Sequence, residues 1–150
     1  MEHIVMSQQI SDKPGTARGI GKRKNKYNAK GEYDIFDGKK TFFHSKAEAV
    51  RFRQLLKLRE DNLITKLELQ PRFPCVVNNI KVCEYRGDFS YFTKEINEAI
   101  GYRVIEDVKG QLTDTYKIKK PLVEALYGIK IHEIPSKEVD KWENIIPLNL

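Results

Sequence analysis

Only two cysteines, Cys75 and Cys83, occur in 150 residues, and they are not spaced as C-x-x-C. A disulfide framework, a zinc site and a thioredoxin-like pair are therefore unsupported. The two thiols are expected to face each other across a hairpin and to stay reduced. No apolar run approaches the roughly 18 residues that a membrane span needs, so a membrane partner is not expected. The opening MEHIVMSQQISDKPG lacks the basic, apolar and small-residue regions of a signal peptide, so a cytoplasmic protein is expected. The three histidines, His3, His44 and His132, form no spacing that suggests a ligand set. Internal repeats and low-complexity linkers are also missing, which leaves one domain with tails as the simplest organisation.

Acids are absent from one stretch in particular. Between Arg18 and Lys30 the chain reads RGIGKRKNKYNAK, with Arg18, Lys22, Arg23, Lys24 and Lys26 in close succession. A glycine-interrupted basic stretch with few apolar residues cannot fold alone, so residues 1–27 read as a flexible basic arm ahead of a domain at 28–150. The whole chain carries 27 basic against 21 acidic residues, a net charge of +6 that attracts polyanions, nucleic acid above all. A solubilising tail is the plainer use of such an arm, and a phosphate-binding one the more specific.

Within the domain, EYDIFDGKKTFF predicts a hairpin turned at Asp37-Gly38. SKAEAVRFRQLLKLREDNL then spaces Ala49, Phe52, Leu55, Leu56 and Leu63 as a helix over about 45–60. TKLELQPRFPCVV and KVCEYRGDFSYF predict two strands around Asn78-Asn79, and YRVIEDVKG a third after the loop KEINEAIG, making an antiparallel meander. A second helix carries Ile118, Leu122 and Leu126 four apart, with Pro121 inside and Gly128 at the C-cap position. IKIHEIP predicts a short strand, and SKEVDKWENII a final helix whose Trp142 caps the core. The fold class that follows is α/β, a mixed sheet flanked by helices.

The strand YRVIEDVKG raises the chemical question, because a sheet gains nothing from two adjacent carboxylates and a lysine. Alternation puts Asp107 and Lys109 on one face, about 7 Å apart along the strand, and Val104, Glu106 and Val108 on the other. In the preceding strand Asp88 shares a face with Glu84, Arg86 and Ser90, opposite Cys83, Tyr85, Phe89 and Tyr91. Pairing through the KEINEAIG loop brings Asp88 nearly opposite Asp107. Like charges facing across strands are destabilising unless a cation lies between them. Two carboxylates with phosphate and water suit Mg²⁺, or Mn²⁺ in its place. Lys109 would add a fixed positive charge beside a phosphate. Ser45-Lys46-Ala47-Glu48 reads as a capping box, in which Glu48 bonds back to the helix start. The same Glu48 lies on the row of Phe52 and Leu55, which faces the sheet.

Glu48, Asp88 and Asp107-Val108-Lys109, in this order and on these elements, resemble the PD-(D/E)XK nuclease superfamily of restriction enzymes and Holliday junction resolvases. KYNAKGEYDIF, FHSKAEAVRF, LELQPRF, GDFSY and EDVKG are similar to a family of small phage-encoded endonuclease-like proteins within it. The resemblance implies a restriction-endonuclease-like αβββαβ core, Mg²⁺ dependence and Asp88 and Asp107 as metal ligands. It also implies Lys109 acting on the attacking water and Glu48 as an outer or second-metal carboxylate. Gly87 stands where the superfamily motif has proline. The expected activity is hydrolysis of phosphodiester bonds in branched DNA of phage recombination or replication, by a homodimer. A non-catalytic DNA-binding protein on the same fold and an endonuclease subunit of a transposition complex are the alternatives. Gln70, at a strand end before Pro71, could border the site, and Lys117 and Lys120, beside Tyr116 on the second helix, could contact a DNA backbone.

Overall fold

A computed structural model describes residues 30–95 and 99–148. The basic arm with Arg18, Lys22, Arg23, Lys24 and Lys26, and part of the KEINEAIG loop, lie outside the described residues. No helix among those described is long and apolar enough to cross a membrane.

The first hairpin, β1 (Glu32–Phe36) and β2 (Lys39–Phe43), turns at Asp37 and Gly38, both with positive φ, as a tight two-residue turn requires. Helix α1 (Lys46–Glu60) contains no glycine or proline and starts at Ser45, whose hydroxyl accepts from the Glu48 N–H. Its Ala49, Phe52, Leu55 and Leu58 are fully buried. Burial of each of the three larger ones stabilises the fold by about 1.5–3 kcal/mol. Leu63, counted above in the helical stripe, lies beyond the helix and is exposed.

The two long strands expected around Asn78-Asn79 are each broken in two. The first divides into β3 (Ile64–Leu69) and β4 (Arg72–Val77), the second into β5 (Ile80–Arg86) and β6 (Phe89–Lys94). The breaks are local. Gln70 adopts a left-handed φ of 53°, and Pro71 has no N–H to offer a ladder. The Gln70 N–H donates to the Asp88 carbonyl at 2.9 Å, and the Gly87 N–H to the Pro71 carbonyl at 3.1 Å, so both strands bend together. Instead of a three-stranded meander there is a four-stranded sheet, β3-β6-β7-β8, with β4-β5 as a separate antiparallel ribbon. Strand β7 (Ile100–Lys109) is antiparallel to β6, while β8 (Ile131–Pro135) joins β7 in parallel after α2 (Asp114–Tyr127). The sheet is thus mixed, as expected.

Two cores lie on its two faces. Phe52, Leu55, Ile64, Phe89, Tyr91, Val104, Val108 and Ile134 pack on the α1 side, whereas Phe73, Cys75, Tyr85, Ile105, Tyr116, Val123 and Ile131 pack under α2. Alternation along β7 explains the split between Val104 and Ile105. It fails from β5 to β6: Tyr85 and Phe89, expected on one face, belong to different cores because the bend at Gly87-Asp88 interrupts the period. Helix α2 begins at Thr113 and ends at Gly128, whose φ of 61° is the left-handed cap that glycine adopts without strain. Its buried residues are Tyr116 and Val123, while Ile118 of the four-apart series is 70% exposed. The final segment is a 3-10 helix, Ser136–Trp142, rather than an α-helix, and Trp142 packs on the α1 core.

Candidate active site

The register sets Phe89 opposite Glu106, and the Asp88 N–H donates to the Glu106 carbonyl at 3.1 Å, so Asp88 meets Asp107 one step further on. The two carboxyls act on each other electrostatically, Asp107 raising that of Asp88. Asp88 Oδ2 also accepts from the Val108 N–H at 2.7 Å. Burial, followed by the charges of Asp107 and Glu48 and the contact with Asp107, holds the Asp88 carboxyl well above the usual carboxylate range; the Val108 bond acts the other way but is outweighed.

Asp107 is almost fully buried on the α2 side of the sheet. Its Oδ2 accepts from the Tyr85 hydroxyl at 2.5 Å, and its Oδ1 faces the Lys109 amine at 2.6 Å. Lys109, about one quarter exposed, also lies over the Tyr116 ring, 4.5 Å from its centroid. Tyr116 in turn donates to Glu133 Oε1 at 3.1 Å, and the same oxygen takes Lys120 Nζ at 2.8 Å. Burial alone would raise the Glu133 carboxyl, yet the Lys120 bond and charge bring it below its usual value. Burial, with Asp107 next, pushes both the Tyr85 and Tyr116 phenols up, so each remains a donor across the ordinary pH range.

Glu48 sits on the other side of Asp88. With Thr41, Phe42, Phe43, Leu69, Gln70, Asp88 and Phe89 it lines a cleft between the β1-β2 hairpin and the sheet. Both readings of this residue describe it. It closes the N-terminus of α1, taking the Ser45 hydroxyl at 3.1 Å and the His44 N–H at 3.0 Å, and it also acts electrostatically on Asp88. Asp88 is the member common to both groups, acted on by Asp107, which carries the Lys109 amine, and by Glu48. Among the described residues no three His, Cys, Asp or Glu side chains gather closely enough to form a metal-binding group.

Glu106, the acid adjacent to Asp107, has a separate role on the opposite face. It is completely buried and receives Arg51 Nε at 2.8 Å, Arg51 Nη2 at 2.7 Å and the Tyr91 hydroxyl at 2.5 Å. Arg51 also donates to the carbonyls of Trp142 and Ile145, at 2.6 and 2.9 Å, tying α1 and β7 to the C-terminal segment. Arg51, Tyr85 and the positioning part of Tyr116 were not evident from sequence reasoning. A signal for Arg51 existed: it is four residues before Leu55 and seven before Leu58, a charge on an apolar row. Lys117, more than half exposed, pairs with Asp114, whereas Lys120 is committed to Glu133.

No curated protein and no solved structure matches the chain. A family profile does, over residues 24–137, a span that includes Glu48, Asp88, Asp107 and Lys109. The chain therefore belongs to the family described as "Protein of unknown function (DUF1064)".

Proposed function

We propose that this protein is a divalent-metal-dependent endodeoxyribonuclease of the PD-(D/E)XK type, acting as a homodimer on branched recombination or replication intermediates of phage DNA in the host cytoplasm. The observation that carries the reading is Asp88 against Asp107 at the ends of adjacent strands, with the Lys109 amine on Asp107. The element order supports it. With the β4-β5 ribbon set aside, α1, β3, β6, β7, α2 and β8 follow one another as αβββαβ.

The donor chemistry fits Mg²⁺ or Mn²⁺: Asp88 and Asp107 offer hard carboxylate oxygens, and burial together with like charge makes a charged Asp88 costly without a cation. No buried side-chain polar atom among the described residues lacks a hydrogen-bond partner, so the demand for an ion comes from charge and not from an orphaned atom. Asp88 and Asp107 would hold the ion, with Glu48 as an outer carboxylate. When bound, such an ion supplies Lewis-acid stabilisation of the scissile phosphate and an acidified water. The residues do the rest. Tyr85 fixes the Asp107 carboxylate, and Asp107 with the Tyr116 ring holds the Lys109 amine as a localised positive charge for a phosphate oxygen.

Cleavage assays on flap, fork, four-way and linear DNA with Mg²⁺ or Mn²⁺ test this. Asp107→Ala is expected to abolish cleavage while DNA binding stays or tightens, because a carboxylate facing phosphate is removed. Undiminished cleavage by that variant would overturn the reading. A second reading, a non-catalytic DNA-binding protein on this fold, draws on the engagement of Glu48 at the α1 N-terminus. It requires wild-type protein that shifts DNA in gels and never cuts it.

A further inference from the structure

The first hairpin carries a surface that the site description does not use. Its inner face is fully employed. Phe36 and Phe43 pack on Phe52 of α1, with ring centroids 5.6 and 4.7 Å apart, while Glu32 and Asp34 pair with Arg53 and Asp37 pairs with Arg59. All the hairpin's acids are thereby neutralised by arginines of the helix.

The outer face presents Tyr33, Ile35, Lys40 and Phe42, then His44, and no acid. Tyr33 is 61% exposed, Ile35 57% and Phe42 38%. Tyr33 and Phe42 are direct cross-strand partners with centroids 5.0 Å apart; His44 follows at 5.4 Å from Phe42, and Lys40 Nζ lies 4.5 Å above the Tyr33 ring. A Cβ on Gly31 would collide with the Phe42 ring and the Phe43 carbonyl, so the absence of a side chain there is what gives the ring its place. Exposed apolar surface of this kind, next to a functional cleft, marks a binding region.

We propose that Tyr33, Phe42 and Lys40 form a stacking platform for unpaired nucleotides, which delivers single-stranded DNA into the cleft beside Asp88. The inference rests on the nuclease reading for its substrate. Two observations and one general property of DNA select the occupant. Phe42 belongs both to the platform and to the cleft lining, and His44, two residues on, donates its N–H to Glu48, so the platform is continuous with the site. Lys40 has no acidic partner among the described residues and is available to a phosphate. In duplex DNA the base faces are already stacked on one another, whereas an unpaired base offers a free face to an aromatic ring. The two rings are tilted 55° to each other, so each can take a base of its own, and the cation over Tyr33 suits the backbone of the same strand.

Fluorescence anisotropy of the full chain in EDTA, with a labelled oligothymidylate longer than about 16 nucleotides and a duplex of equal length, tests the platform. Tyr33→Ser and Phe42→Leu are each expected to weaken oligothymidylate binding at least about fivefold, the low end for a stacked base, without changing the salt slope. Duplex affinity should stay put. Lys40→Ala should instead lower the single-strand salt slope by about 0.7. The proposal fails if the oligothymidylate is not bound, if the aromatic variants bind it as the wild type does, or if they lose duplex affinity equally. It also fails if sedimentation shows Tyr33→Ser converting a dimer to monomer, since the face is then a contact between two copies. Tyr33 is mostly exposed, so that variant is expected to fold, and a thermal melt of each variant verifies it. Because the readout involves neither metal nor cleavage, the two readings fail separately. Loss of cleavage in Asp107→Ala with unaltered aromatic variants removes only the platform, whereas selective single-strand losses in a protein that never cuts remove only the nuclease.

Discussion

Glu106 and Asp107 are neighbours in sequence, and their replacement should have opposite consequences. In Glu106→Gln the buried guanidinium of Arg51 loses the carboxylate that receives two of its N–H groups, and the amide introduces a donor where the Tyr91 hydroxyl already donates. Both side chains of this ion pair are completely buried, so water cannot replace the lost partner. Breaking such a pair costs about 3–5 kcal/mol, a large part of the roughly 5–15 kcal/mol that holds a domain together. At about 2–4 °C per kcal/mol for a chain of this size, the melting temperature should fall by about 10 °C. Asp107→Asn strands no buried cation, because Lys109 is partly exposed and can turn to water, and it relieves repulsion with Asp88. Its stability should stay within about 2 kcal/mol of wild type while cleavage is lost. Urea unfolding followed by circular dichroism, beside a cleavage assay with Mg²⁺, reads both effects. Arg51→Met/Glu106→Leu/Tyr91→Phe removes the ion pair and the phenol and leaves only the Trp142 and Ile145 carbonyls without Arg51, so it should recover part of the loss. The reasoning is refuted if Glu106→Gln melts no lower than Asp107→Asn, or if the triple variant is less stable than Glu106→Gln.

Other consequences can be checked independently. The raised carboxyl of Asp88 contributes stability that is fully present below its ordinary value of 3.8 and is lost as pH rises through its folded value. In EDTA, melting temperature should therefore decline with rising pH over that window, and Asp88→Asn should flatten the decline. Mg²⁺ should raise the melting temperature above the window and not below it; equal stabilisation at both ends would separate the ion from Asp88. Deleting residues 1–26 should lower DNA affinity and flatten its salt dependence, since each phosphate neutralised adds to the slope; an unaltered slope makes the arm a bystander. Lys117→Ala should reduce that slope with little effect on stability. Lys120→Ala should destabilise the fold more than Lys117→Ala does, because it leaves Glu133 half-buried without its cation, and a thermal melt of the two variants ranks them.

The elements visible in the residue pattern are those with strong local causes. The Asp37-Gly38 turn, the Ser45 cap, the apolar row of α1 and the Gly128 stop each act within a few residues of themselves. The facing of Asp88 and Asp107 was legible for a similar reason: a short connection between antiparallel strands constrains their register. Local patterns misled where a bend or a neighbour intervened. Alternation carried through Gly87-Asp88 put Tyr85 beside Phe89, but a left-handed Gln70 and the following Pro71 turn the ribbon away and deliver Tyr85 to the other core, where it grips Asp107. The four-apart series on α2 foretold a helix correctly, yet the face that packs is the one with Tyr116 and Val123, because the β4-β5 ribbon and β8 lie there.

Local chemistry along the chain was thus enough to specify an α/β domain with a basic leader and to bring two acids and an amine to one strand end. Alternation already set Asp107 with Lys109 and Glu106 with the valines, but what each buried carboxylate is tied to was decided only by long-range packing. Arg51, fifty-five residues before Glu106, claims one carboxylate of the adjacent pair, and Tyr85 and Lys109 claim the other. A side chain's partner across the sheet depends on where distant elements come to rest, and neighbouring residues do not encode that.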